Sequence, residues 1–233
     1  MDHVSRHAQG AHHDYRDDVT VRLTEQTLKR AADELSAADP RLARVIAAVG
    51  PCTMVPRVEG SHFDHLTRNI VYQQLSGAAA GTIHGRFVER VGQGKSPTPA
   101  QLLTHDEPTL RACGLSTAKV AAIRDLALHV SDNRLPMDQL DTMDDQDVID
   151  SLVQVRGIGV WTAQMFLMFR LGRPDVLPVL DLGVRKGAQK IYRMRQLPEA
   201  MRLEKTAKAW RPWRSVASWY CWRVLDTNDA GGW

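Results

Sequence analysis

Cysteine is scarce in this chain: only Cys52, Cys113 and Cys221 occur among 233 residues, far apart in sequence. That argues against a disulfide framework and against a four-cysteine iron–sulfur or zinc site. It fits a reducing, cytoplasmic-type compartment. No stretch approaches the roughly 18 unbroken apolar residues of a membrane span, and the N-terminus has no apolar segment of the kind that opens a secretory signal. Sustained β alternation is missing too and no repeat period is evident, so the expected fold is all-α. Nor is there a large excess of charge of one sign, the formal net being +3.

What is present is an apolar fraction of 43%, enough to bury a core in one large domain or two small ones. The first 20 residues are polar and carry His3, His7, His12 and His13. Their spacing reads as a flexible, tag-like tail rather than a metal site. From residue 21 onward the chain reads as one helical core. Leu28, Ala31, Ala32 and Leu35 recur at helical intervals after Thr24, and Pro40 ends that run. A linker through Gly50, Pro51, Pro56 and Gly60 follows. Helices are then expected near 62–76 and 78–91, as a short turn at Pro108–Ala112, and from an N-capping Ser116 through Val130. Further helices are expected over Asp145–Val153 and near 182–193, 198–209 and 213–226.

Basic residues are unevenly placed. Residues 1–149 hold 16 Lys/Arg against 20 Asp/Glu, whereas 150–233 hold 14 against 7. The excess gathers in 182–223, where Arg185 and Lys186 open the series. A basic face on a near-neutral protein suits a polyanionic partner; many of these side chains are ordinary solvated helix faces.

The most informative stretch is RGIGVWTA at 156–163. Glycine tolerates φ > 0 and close backbone approach, so Gly157 and Gly159 suit a hairpin too tight for side chains. Leu152–Val155 lead into it and Thr162–Leu171 lead out. Such a hairpin presents backbone N–H groups at a helix N-terminus, a ready anion site. Ile158 at its tip suits insertion beside the protein's own core. Taken alone, the run is equally a glycine-rich turn without a ligand. Asp181 follows Leu177–Pro178 and precedes the helix near 182–193; on spacing it reads as an N-cap aspartate. Asp175 lies before the loop proline and reads as a turn residue.

Four segments stand in order: YQQLS at 72–76, GLSTAK at 114–119, RGIGVWTAQMF at 156–166 and LPVLDLGVRKG at 177–187. With the tryptophan-rich run 210–222, WRPWRSVASWYCW, they resemble the helix-hairpin-helix DNA glycosylases, most closely the 3-methyladenine DNA glycosylase II branch. The resemblance spans roughly Phe63 to Trp222, about two thirds of the chain. It implies a two-lobed helical fold with the active-site cleft between the lobes. One lobe runs from about 62–135 with flanking segments, and the hairpin lobe covers about 136–233. It implies a monomeric enzyme of base excision repair, without a cofactor, that hydrolyses the N-glycosidic bond of alkylated bases in duplex DNA.

The same resemblance distributes roles. Asp181 becomes the catalytic carboxylate, stabilising the positive charge that develops on deoxyribose. Trp161 and Trp222 match the positions whose rings line the base pocket, with Met165 one turn beyond Trp161. A ring-alkylated base is cationic, and an indole face attracts it by roughly 0.5–2 kcal/mol. Cationic lesions are therefore expected to leave faster than neutral hypoxanthine. Strand-nicking relatives carry a lysine two residues after the second hairpin glycine; Trp161 stands there, so no lyase step is expected. Gln74, with Leu75, matches the wedge that fills the space left by a flipped nucleotide. Gly157, Ile158, Gly159 and Thr162 form the DNA clamp, and the resemblance also implies a monovalent cation on carbonyls such as those of Val155 and Gly157. Arg185 and Lys186 add positive charge toward the duplex.

Two departures matter. Members of this branch often carry a β-rich domain before the helical core, and only about 60 residues precede the matched region here, so that domain is expected to be absent or a remnant. Glycosylases for oxidised purines or mismatched adenine usually have the hairpin lysine, a cysteine cluster, or both; this chain has neither. The competing reading from another class is a non-catalytic helix-hairpin-helix DNA-binding module, which places no demand on Asp181, Trp161 or Trp222.

Overall fold

A computed structural model describes residues 21–227, all helix, turn and loop. The histidine-bearing tail lies outside them. Thr24 caps α1 (Glu25–Ala38) in a reciprocal pair with Thr27, and Leu28, Ala31 and Leu35 face inward. Asp39 then ends α1 and starts α2 (Pro40–Val49), its carboxylate accepting the N–H groups of Arg41 and Leu42 at 2.9 and 3.1 Å. The sequence reading let Pro40 open a linker; it opens a helix instead. Proline suits the first helical position, where its missing N–H would have no intrahelical acceptor anyway.

α3 (His62–Tyr72), α4 (Gly77–Gly92), α5 (Pro99–Leu103), α6 (Glu107–Arg111) and α7 (Thr117–Ser131) pack on one another. Leu66, Ile70, Phe87, Leu102, Leu110 and Ile123 are fully buried among them. α8 (Asp145–Leu152) leads through the glycine hairpin into α9 (Val160–Phe166), which continues as a π-helical turn over Leu167–Leu171. α10 (Leu182–Tyr192), α11 (Ala200–Thr206) and α12 (Arg214–Asp226) complete the chain.

α10 and α12 form the most extensive helix pair, and the N-terminal α1 and α2 join them rather than α3–α7. A buried polar chain makes the join. The Trp210 indole N–H donates to the Tyr192 hydroxyl at 2.8 Å, and that hydroxyl donates to Asp39 at 2.5 Å. Burial and this bond to Asp39 push the Tyr192 hydroxyl well above its ordinary pKa, so it stays a donor. The approach of α10 to α12 requires Gly187, because a β-carbon there would overlap the Cys221 carbonyl group.

All three cysteines are free and buried. Burial raises the Cys52 thiol to about 12 and pushes Cys221 up as well. Among the described residues no helix is long and apolar enough to cross a membrane.

Candidate active site

The loop that delivers Asp181 is anchored at several points. Arg173, only 4% exposed, donates to the Asp141 and Met143 carbonyls at 3.1 and 2.7 Å. Arg214 holds Asp175 through two parallel bonds, at 2.7 and 2.9 Å. The Ser215 hydroxyl donates to the Arg173 carbonyl and accepts the Val176 N–H, at 2.7 and 2.9 Å. Asp175, the nearest alternative acid, is thus a loop anchor held by arginines.

Asp181 caps α10, its Oδ1 accepting the Val184 N–H at 2.7 Å. Two indoles complete its surroundings: Trp222 Nε1–H donates to Oδ1 and Trp161 Nε1–H to Oδ2, both at 2.8 Å. Three N–H groups from three elements therefore fix the orientation of one carboxylate. Gly183 makes room for this. A β-carbon there would come within 2.7 Å of Trp222 Cδ1 and 2.9 Å of its Nε1.

Next to Trp161 opens a largely apolar cavity of about 640 Å³. Asn69, Tyr72, Gln73 and Gln74 line it from α3 and the loop beyond; Trp161, Thr162, Met165 and Phe169 line it from α9 and its π-turn. Trp161 and Met165, expected on a base pocket, line this cavity, and Trp222, expected with them, does not. Its ring stacks on Phe169, centroids 5.9 Å apart at 23°, so it backs the wall instead of forming it. Thr162, expected on the clamp surface, is 6% exposed and faces the cavity. Phe169, Tyr72, Asn69 and Gln73 were not assigned from sequence. Phe169 had a signal, because positions 161, 165 and 169 are spaced four apart.

The loop after α3 carries the expected wedge. Gln74 is exposed in a left-handed backbone conformation, φ +57°, and Leu75 is 40% exposed. The loop is held from behind: Lys119 donates to the Val71 and Gln73 carbonyls at 2.7 and 2.8 Å, and the Gln73 amide donates to the Gly157 carbonyl at 3.1 Å. Desolvation lowers the pKa of Lys119 from the usual lysine value. Replacing Lys119 by Met leaves two carbonyls without their charged donor, a loss of about 1–3 kcal/mol. We expect a lower melting temperature and weaker discrimination between damaged and undamaged duplexes, measured by calorimetry and competition binding.

Gly157 sits at φ +79°, and a β-carbon on it would lie 3.1 Å from Ala122 of α7. The Arg156 N–H donates to Asp125 at 2.7 Å, a second tie to α7. Ile158 is 4% exposed, its side chain turned inward as expected. Gly159 differs: its φ is −97° and a β-carbon there meets nothing within 4 Å. It is not required by the hairpin's own geometry. As the N-cap of α9 it leaves the first-turn N–H groups without a side-chain acceptor. The Val155 and Gly157 carbonyls accept from Ile158 N–H and Gln73, each at 3.1 Å, and each retains a lone pair that a cation would need.

Arg185 and Lys186 part company. Arg185 Nε–H donates to the Pro198 carbonyl at 2.8 Å, and its terminal nitrogen lies 3.6 Å from Glu199. It is an intramolecular tie, contrary to the expectation that it faces DNA; Lys186 is exposed. Around Asp181 and the hairpin, Val160, Trp161, Leu180 and Leu182 are all 48–70% exposed, an apolar rim of the kind that marks a binding surface.

A helix-capping carboxylate fixed by two indoles thus stands near an aromatic cavity and a glycine hairpin in an all-helical fold. Residues 67–212 match the HhH-GPD superfamily base excision DNA repair protein model, and the chain belongs to that family. It is 31% identical over 205 residues to the alkylbase DNA glycosidase-like protein mag2 of Schizosaccharomyces pombe, covering 87% of this chain and 96% of that one. The 3-methyladenine DNA glycosylase of the same yeast, solved with abasic DNA, superposes with a TM-score of 0.75 at 30% identity, over 86% of this chain and 98% of the other. A DNA-3-methyladenine glycosidase from Bacillus halodurans gives a TM-score of 0.76 at 36% identity, covering 84% and 89%.

Proposed function

We propose that this base excision repair glycosylase hydrolyses the N-glycosidic bond of ring-alkylated bases in duplex DNA, with Asp181 as its one catalytic carboxylate. The observation that carries the reading is the convergence of the Trp161 and Trp222 indole N–H groups and the α10 N-terminus on Asp181, with Trp161 also lining the aromatic cavity. Helices α3–α7 form one lobe and α1, α2, α10 and α12 belong to the other, with the flipped base between them. As the C1′–N bond breaks, its electron pair passes to the base and neutralises the ring cation. The sugar's positive charge develops beside the carboxylate. Water then adds its oxygen to C1′, and its proton passes to Asp181 or to solvent.

With Trp161 at the lysine position of strand-nicking relatives, no amine is placed for a Schiff base, and the product is an abasic site in an intact strand. Gln74 and Leu75 fill the vacated stack, the α9 N-terminus takes a phosphate, and Lys186 adds a non-specific contact. The three free, buried thiols fit a reducing cytoplasm. Trp161 offers the π surface for a cationic ring.

The test is single-turnover release from duplexes carrying one 7-methylguanine, 3-methyladenine or hypoxanthine. We expect the cationic bases to leave faster, with alkali-labile but unnicked product. Tight binding without release of any base would favour the DNA-binding module. The two hairpin glycines separate clamp from fold. Gly157→Ala strains a left-handed position by roughly 1–2 kcal/mol and should weaken binding to damaged and undamaged DNA alike, with some loss of stability. Gly159→Ala meets no protein atom, so its melting temperature should be unchanged while its DNA affinity falls. Unchanged affinity in Gly159→Ala would remove the phosphate from that helix end.

A further inference from the structure

Beside the base cavity, where α3 and α9 meet the segment Val55–Arg57, lies a second, partly open cavity of about 200 Å³ that shares Asn69, Met165 and Phe169 with it. Its other walls include Arg57, His65 and Arg68, and no carboxylate lines it. Neither guanidinium has an ion-pair partner among the described residues. Arg68 lies 3.9 Å over the Tyr72 ring, and Arg57 is exposed. His65 stays neutral, pushed down to about 4 by burial and then by the charges of Arg170, Arg57 and Arg68. The site is therefore a small region of positive potential with a neutral imidazole and an amide, adjoining the place proposed for the base.

Such a region has no use for a ring cation, which it repels. It fits the opposite charge. We infer that this second cavity is a subsite for an anionic substituent on the excised base, a carboxyalkyl group on a ring nitrogen, reaching past Met165 to Arg57 and Arg68. Met165 is unbranched and flexible, so it can yield to a tail. The alkylated ring keeps its positive charge beside Trp161 and Asp181, while the tail's carboxylate meets the two guanidiniums through charge-assisted hydrogen bonds. The reaction is unchanged: the C1′–N pair goes to the base, water's oxygen goes to C1′, and the tail departs intact. This inference rests on the glycosylase reading of the cleft.

The experiment compares three duplexes bearing single N7-methyl-, N7-(2-hydroxyethyl)- and N7-carboxymethylguanine, with the full-length wild type and the Arg57→Gln, Arg68→Gln and Arg68→Lys variants. The two longer adducts are close in size and differ in charge. We expect the wild type to release the carboxymethyl base at least about tenfold faster than the hydroxyethyl base, the worth of roughly one strong charge-assisted contact. Arg57→Gln and Arg68→Gln should each shrink that ratio, and Arg68→Lys should retain most of it. The ratio is the readout because Arg68 also supports Tyr72, so its loss can slow every substrate; exposed Arg57 carries the test without that burden. Equal release of the two longer adducts by the wild type, or a ratio untouched by both glutamine variants, would overturn the subsite while leaving methyl release and the enzyme reading intact. Failure to release the N7-methyl adduct together with 3-methyladenine would overturn both.

Discussion

Asp181→Asn should lower single-turnover base release by at least about 10²–10³-fold, the scale of losing one preorganised electrostatic contact to a charge that develops in the transition state. Duplex binding should stay close to wild type, because the proposed clamp at Gly157–Val160 and the proposed wedge at Gln74–Leu75 are separate from the carboxylate. The geometry adds a second expectation. Asp181 accepts three N–H bonds, two on Oδ1 and one on Oδ2. An asparagine keeps one acceptor oxygen and must point its own NH₂ at one of those donors. Keeping Val184 and Trp222 satisfied turns the amide nitrogen toward Trp161, which loses its partner. A net cost of about 0.5–1.5 kcal/mol in stability is expected for that bond, visible as a small drop in melting temperature. Wild-type turnover in Asp181→Asn would end the catalytic assignment and restore the DNA-binding module as the better reading.

The two glycines of α10 give the next largest effects, and they should differ in kind. In Gly183→Ala the new methyl displaces the Trp222 indole, which can swing away, losing its bond to Asp181 and its support of Phe169. Helix propensity improves slightly with alanine. Release of cationic and neutral bases should therefore fall together, by about tenfold for each ~1.4 kcal/mol of lost orientation, with little change in melting temperature. In Gly187→Ala the obstacle is the Cys221 backbone, which cannot rotate aside. The α10–α12 pair must spread, at a cost of about 1–3 kcal/mol or more, so stability and activity should drop together. Equal melting temperatures for both variants would mean that the helix pair is less closely set than this geometry requires. Trp222→Leu should behave like Gly183→Ala, slowing every base, because Trp222 stacks on Phe169 and does not itself line the cavity.

The residues most legible before folding were those with local causes. Gly157 needs a left-handed backbone, Ile158 is apolar at a tip, and Asp181 precedes a run with helical spacing. Each acts within a few positions of itself. Ser116 caps α7 as its sequence context predicts, but Pro40 reads as a stop and opens α2, the short α5 over Pro99–Leu103 has no sequence counterpart, and α3 ends at Tyr72 rather than at 76. Less was visible wherever a role depends on a partner far off in sequence. Gly159 looked like its neighbour Gly157, yet its surroundings are open. Arg185 looked like a DNA contact until Pro198 and Glu199 claimed it. Trp222 looked like a pocket wall until Phe169 came between.

The chain's own order of residues was thus sufficient for an all-helical fold, a glycine hairpin and a lone acid at a helix start, since hydrophobic period, capping and glycine conformation are short-range properties. The two indoles that hold that acid arrive from 20 positions before it and 41 after it. Only the packing of α9, α10 and α12 decides that both meet one carboxylate, because side chains distant in sequence become neighbours when helices bury their apolar faces together.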